Sequence, residues 1–127
     1  MRFLLLFTLF IVSLNSLAQT TSQIFNEIKR YHKENDAMGR GKPLFLNQAE
    51  NTLEHEGTNI PLFEVDILYK IVNGHHLVTF NCDSECITGV DSNGNDEQYT
   101  GIAFEFNTKS QCYEWINLFS KPRDSLE

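Results

Sequence analysis

Three features of this chain point to an α+β fold: an antiparallel β-sheet of four or more strands, with an N-terminal and a C-terminal helix packed on one face. Segments with apolar residues at helical spacing stand on either side of a strand-rich middle. In that middle, short runs alternate apolar and polar residues, the period of a strand with one buried face. Asn73-Gly74 separates two such runs, and both positions tolerate the positive φ of a type I′ hairpin turn.

Residues 1–18 read as a secretory signal peptide. Met1-Arg2 is a short positive start, Phe3 to Leu14 is almost unbroken apolar sequence, and Ser16-Leu17-Ala18 places small residues before a cleavage point between Ala18 and Gln19. An apolar run of roughly 12 residues is short of the roughly 20 that cross a bilayer as a helix. Residue 19 is Gln, so the cysteine of a lipoprotein leader is missing. Cleavage leaves 109 of the 127 residues, one small domain over 19–121 with a tail over 122–127.

The first helix runs from Thr20 to about Ala37. Ile24, Phe25, Ile28 and Tyr31 form its apolar side, and Thr20 with Gln23 makes a capping-box pattern. Met38-Gly39-Arg40-Gly41-Lys42-Pro43 ends it as a linker. Residues 44–61 are the least regular: Leu44-Phe45-Leu46 suggests a short strand, Asn47 to Glu50 a helical turn, and Gly57 to Pro61 a turn. This stretch leaves little room for three more strands.

Leu62 to Val72 alternates, with Phe63, Val65, Ile67, Tyr69 and Ile71 on one face, and His75 to Cys82 alternates in its turn. The two-residue loop sets Val72 opposite His75, Ile71 opposite His76, Tyr69 opposite Val78, Ile67 opposite Phe80 and Val65 opposite Cys82. Turn chemistry and apolar pattern thus agree on one register. Asp83-Ser84-Glu85 reads as a second hairpin turn into a strand from Cys86 to Val90. Asp91 to Asp96 reads as a third turn, and Gln98 to Phe106 as a strand with Ile102, Phe104 and Phe106 on one face. Thr108 opens the last helix with a capping partner at Gln111. Cys112, Trp115, Ile116 and Phe119 make its apolar stripe, and Pro122 should stop it.

Charge narrows the partners. The formal net charge is −7, or −8 once Arg2 leaves with the leader. An acidic chain without a Lys/Arg cluster is poorly suited to nucleic acid or anionic membranes, so membrane contact is expected only through the leader before cleavage.

The cysteines are Cys82, Cys86 and Cys112. In an exported chain Cys82 and Cys86 are the expected disulfide, bracketing a tight turn; Cys82 with Cys112 is the competing pair. His75 and His76 are adjacent on a strand and point to opposite faces, so they do not share an ion easily. His32 and His55 stand isolated among charged neighbours and read as solvated or turn-flanking. Asp91-x-Asn93-x-Asn95 begins like a calcium loop, but Asp96 replaces its glycine and Ile102 its bidentate glutamate. Glu54, Glu56 and Glu64 sit among polar residues, and no nucleophile elbow, zincin or phosphate-loop motif is present. No cofactor or metal site is expected.

The run from Ile102-Ala103-Phe104-Glu105-Phe106-Asn107-Thr108 to Glu114-Trp115-Ile116-Asn117-Leu118-Phe119 resembles the close of a pleckstrin-homology-like domain. In that family a last strand leads into a helix whose tryptophan plugs the open end of a bent antiparallel barrel. The resemblance implies that shape, with Trp115 as the structural anchor. The basic first hairpin with which lipid-binding members read phosphoinositides is not found here, so their function is not implied.

The expected function is a small secreted or periplasmic binding module, acting on an unknown protein or envelope ligand through a surface. Leu68, Leu77 and Thr79 are its candidate contacts, although cover by the N-terminal helix is the simpler account of them. The Asn73-Gly74 or Asp91–Asp96 tip of an inhibitor or immunity protein belongs to the same class. The alternative is a small hydrolase or metal-dependent enzyme using a histidine with a carboxylate.

Overall fold

The computed structural model describes residues 23–38, 42–47 and 49–126, with backbone alone over 121–126. The leader, the Ala18–Gln19 cleavage point and Thr20 of the first cap lie outside the described residues. The first helix, α1, covers 23–35. Eight strands follow: β1 Leu44–Asn47, β2 Thr52–His55, β3 Thr58–Pro61, β4 Asp66–Val72, β5 His75–Asn81, β6 Ile87–Val90, β7 Asp96–Tyr99 and β8 Gly101–Phe106. The closing helix, α2, is Lys109–Leu126. The α+β expectation therefore holds, with two antiparallel sheets in place of one: a large sheet in the order β1-β2-β3-β6-β7 and a small one in the order β4-β5-β8.

Three strands do fit into 44–61. The hairpin between β2 and β3 turns on Glu56-Gly57, whose φ angles of 51° and 81° are those of a type I′ turn. Glutamate is not a residue that advertises this geometry, which is why the turn is hard to read in the sequence. Asn73-Gly74, with φ of 51° and 80°, makes the same turn between β4 and β5. There the observed register matches the sequence reading from Val72–His75 back to Asp66–Asn81.

The ladder stops at that pair, so Val65 and Cys82 do not face each other in it. Residues 62–64 form a turn instead of the start of a strand, and the Cys82 amide donates to the Thr100 carbonyl at 2.7 Å. Here the chain changes sheets. Asn81 pairs with Gly101 in the small sheet, and Ile87 pairs with Tyr99 in the large one. Residues 82–86 therefore lie opposite Thr100 alone, an outward fold of the chain on one side of a bent hairpin. Asp83-Ser84-Glu85 is the crest of that corner, not a hairpin turn. The single strand expected over Gln98–Phe106 is broken at the same corner into β7 and β8. Gly101 is crowded by β5: a Cβ there would lie 2.7 Å from the Asn81 side-chain Oδ1 and 3.4 Å from the Phe80 carbonyl. A glycine inside an alternating run is the mark of such a close approach.

Helix α2 starts as its sequence indicates. The Gln111 amide donates to Thr108 Oγ1 at 3.1 Å, and Gln111 Oε1 accepts from the Asn107 amide at 3.0 Å. The helix does not end at Pro122; it runs on to Leu126. A proline deprives the ladder of the one bond that would reach the Leu118 carbonyl, while residues beyond it keep their own donors.

Cys112, Trp115 and Phe119 of α2 are buried against Val78, Phe80, Phe104 and Phe106 of the small sheet and Leu44, Leu53, Ile60 and Ile87 of the large one. Trp115 lies at the centre, with ring centroids of Phe80, Phe104, Phe106 and Phe119 4.9–5.8 Å away. Its indole N–H donates to the Ile28 carbonyl of α1 at 3.1 Å. Two further bonds join the helices: Tyr31 Oη to Glu114 Oε2 at 2.6 Å and Gln111 Nε2 to Asn35 Oδ1 at 3.3 Å. Beyond α1, Asp36 bridges to Phe106 and the Ala37 amide donates to the Glu105 carbonyl. These contacts cap the C-terminal end of the β8 edge of the small sheet, at Glu105 and Phe106.

Candidate interaction surface

The opposite edge of the small sheet is β4, and among the described residues no strand pairs with its outer side. A two-residue type I′ turn is closed by a pair that exchanges both backbone hydrogen bonds, and such pairs alternate along an antiparallel ladder. Val72, Lys70, Leu68 and Asp66 therefore bond inward to β5. The Thr79 hydroxyl accordingly reaches the Leu68 carbonyl at 3.3 Å. The N–H and C=O groups of Ile67, Tyr69 and Ile71 point outward from the edge.

Large apolar side chains gather along the same segment. Phe63 is 50 % exposed, Leu68 57 %, Ile71 55 % and Val72 40 %. Ile71 is on the inner face, near the end of the strand, and Phe63 lies in the turn before it. The Leu68 side chain lies on the outer face of the sheet with Lys70, Leu77, Thr79, Asn81 and Glu105. Cover by the N-terminal helix is not what the structure shows for Leu68. Thr79 is buried, with the Asn81 amide donating to its hydroxyl at 2.9 Å. Leu77 is half-buried.

The other sequence-derived positions fall elsewhere. Cys82 and Cys86 lie at disulfide distance, their Cα atoms 6.0 Å apart, across the base of the outward fold rather than across a hairpin. Cys112 stays apart from them in the core, and burial pushes its thiol above the usual range, so it packs as a small hydrophobe. His75 and His76 do point to opposite faces: His75 Nδ1 meets Glu105 Oε1 at 2.9 Å, and His76 Nδ1 meets the Tyr69 hydroxyl at 2.8 Å. At the β6–β7 tip the Asp91 carboxylate accepts from the amides of Asn93 and Asn95 at 2.8 and 2.9 Å. Those bonds, Asn95 first, hold its carboxyl below the usual range; this is a self-satisfied turn.

His32 is not solvated, and His55 is half-buried beside it. His32 is 1 % exposed, with its ring 5.4 Å from those of His55 and Phe104 and 5.5 Å from Trp115. Neither of its nitrogens has a hydrogen-bond partner among the described residues, and Asp36 Oδ2 is 4.0 Å away, too far for a hydrogen bond. Burial lowers its pKa, His55 lowers it further and Asp36 opposes both, so the ring is neutral at pH 7. The sequence does carry a signal for this position: His32 follows Ile28 by one helical turn and continues its buried stripe.

Glu50, Glu54 and Glu64 line one shallow depression of about 420 Å³ on the outer face of the large sheet, open to solvent. Among the described residues no group of three His, Cys, Asp or Glu side chains converges as a metal site, and no helix is long and apolar enough to cross a membrane. Compared with known proteins, the chain matches no family model and no curated protein.

Proposed function

We propose that this chain is an exported, non-enzymatic interaction module whose contact surface is the β4 edge with its exposed apolar side chains. The observation that carries the reading is the coincidence of two features on one strand: outward-facing backbone donors and acceptors, and Leu68, Ile71 and Val72 at 40–57 % exposure. Main-chain bonds to an added strand supply affinity, and apolar side chains at alternate positions supply selectivity. Export rests on the leader sequence, with cleavage between Ala18 and Gln19, and an oxidising compartment would close the Cys82–Cys86 bond. The pleckstrin-homology-like resemblance is a proposal about shape alone, supported by the paired antiparallel sheets and the tryptophan-bearing last helix.

The test is comparative capture from the extracellular or periplasmic fraction, using the wild-type chain and a Leu68→Lys/Ile71→Lys variant as baits. A partner held by the wild type and lost by the variant supports the reading. Identical recovery by both would refute it. Intact-mass measurement of the exported chain tests the compartment, with Gln19 as the expected first residue.

A further inference from the structure

We infer that the strand added to β4 is β4 of a second copy of this chain, paired antiparallel about a two-fold axis at Leu68. This rests on the interaction reading above and names its partner. Two requirements select the axis. Ile67, Tyr69 and Ile71 present their backbone groups outward, so an intermolecular ladder must bond through odd-numbered residues. An axis at Leu68 meets this by pairing Ile67 with Tyr69 of the partner, and Tyr69 with Ile67.

The second requirement is charge. Asp66 and Lys70 lie two residues to either side of Leu68, on the same outer face, and both are exposed. About this axis Asp66 of each copy stands directly opposite Lys70 of the other, and Leu68 meets Leu68. Opposite charges directly across a strand pair stabilise it, and like charges weaken it. An axis at Tyr69 would set Asp66 against Val72 and Leu68 against Lys70, losing both charge pairs. The chain is acidic overall, so a reciprocal pair at the contact is what lets two copies approach. The product is a continuous sheet of six strands, β8-β5-β4 joined to its own copy. An isologous contact of this kind is closed and does not propagate into fibres.

Sedimentation velocity over about 1 µM to about 1 mM should show the purified wild-type protein passing from monomer to dimer, as expected of a contact at the small end of interface sizes. Asp66→Lys and Lys70→Asp each convert both charge pairs into like-charge pairs, and each should weaken self-association about 10- to 30-fold. An equimolar mixture of these two variants should dimerise as tightly as the wild type, because every cross-strand pair is then again opposite in sign. That recovery also shows that both variants are folded. Leu68→Cys should crosslink to itself on oxidation, since a non-hydrogen-bonded pair on the axis brings Cα atoms to about 4.5 Å, within disulfide reach. A wild-type monomer across the whole range, or variants that dimerise as well as the wild type without mixing, would overturn the second copy as partner. If the wild type is monomeric but Leu68→Lys/Ile71→Lys still loses a captured partner, the edge is an interaction surface for another protein and only this inference fails. If neither self-association nor capture responds to the edge, both readings fail.

Discussion

Replacing His32 with leucine should make this protein more stable, which is unusual for a change to a side chain only 1 % exposed. The imidazole is close-packed among His55, Phe104, Phe106 and Trp115, and neither nitrogen has a described partner. A buried polar group left unsatisfied costs about 1–3 kcal/mol. Leucine is similar in volume and removes that penalty, but forfeits edge-to-face ring contacts of about 0.5–1.5 kcal/mol. The net expectation at pH 7 is a gain of about 1 kcal/mol.

Acidity enlarges the difference. The folded-state pKa of His32 is below its ordinary value of 6.5, so between the two values the unfolded chain binds the extra proton. Wild-type stability is then fully present above the ordinary imidazole range and is lost as the pH falls toward the folded-state value. The slope from this one proton is at most about 1.4 kcal/mol per pH unit. Asp36 and His55 are the other titratable groups facing the ring, and both remain in the variant, so the comparison isolates His32. Urea unfolding at pH 7 and at pH 5, followed by the fluorescence of the single tryptophan, reads both quantities. A His32→Leu variant that is weaker at pH 7 and keeps the wild-type acid slope would refute the reasoning.

Trp115→Phe should cost about 1–3 kcal/mol, because it deletes the bond to the Ile28 carbonyl and leaves part of the indole volume unfilled; thermal unfolding by circular dichroism measures it. Replacing both Cys82 and Cys86 with serine should cost about 2 kcal/mol, the closure entropy of so short a loop. Thiol titration of the native wild type should find no reactive group, with Cys112 alone appearing on denaturation. Glu56→Asn should stabilise by about 0.5 kcal/mol, because relief of a left-handed backbone at a glutamate outweighs loss of the exposed ion pair with Lys42 at 3.2 Å, read as a higher urea midpoint with unchanged slope.

What could be read from the sequence follows the range of the interactions concerned. The β4–β5 register was legible because Asn73-Gly74 and two alternating runs state it independently, all within one local segment. The α2 stripe was legible for the same reason, as Cys112, Trp115 and Phe119 recur at helical spacing beside a Thr108–Gln111 cap. The split into two sheets was not, because it depends on which strand β6 meets, and β3 is far away in sequence. Gly101 marked the corner, but a glycine in a strand marks several things. The β2–β3 hairpin was hidden by Glu56, a poor residue for its turn. His32 is hard to place from sequence because its charged neighbours point to solvent, whereas helical geometry carries it inward after Ile28. The free edge of β4 became visible only once all its neighbours had been placed.

Residues 75–106 form one bent hairpin whose lower half belongs to the small sheet and whose upper half belongs to the large one. The two layers are thus cut from the same pair of strands, crossing side by side at Cys82 and Thr100. Layers joined only by loops can swing apart like the covers of a book; these cannot part unless that ribbon unzips. Loss of order in either layer is therefore felt in the other, and the domain should melt as a single block.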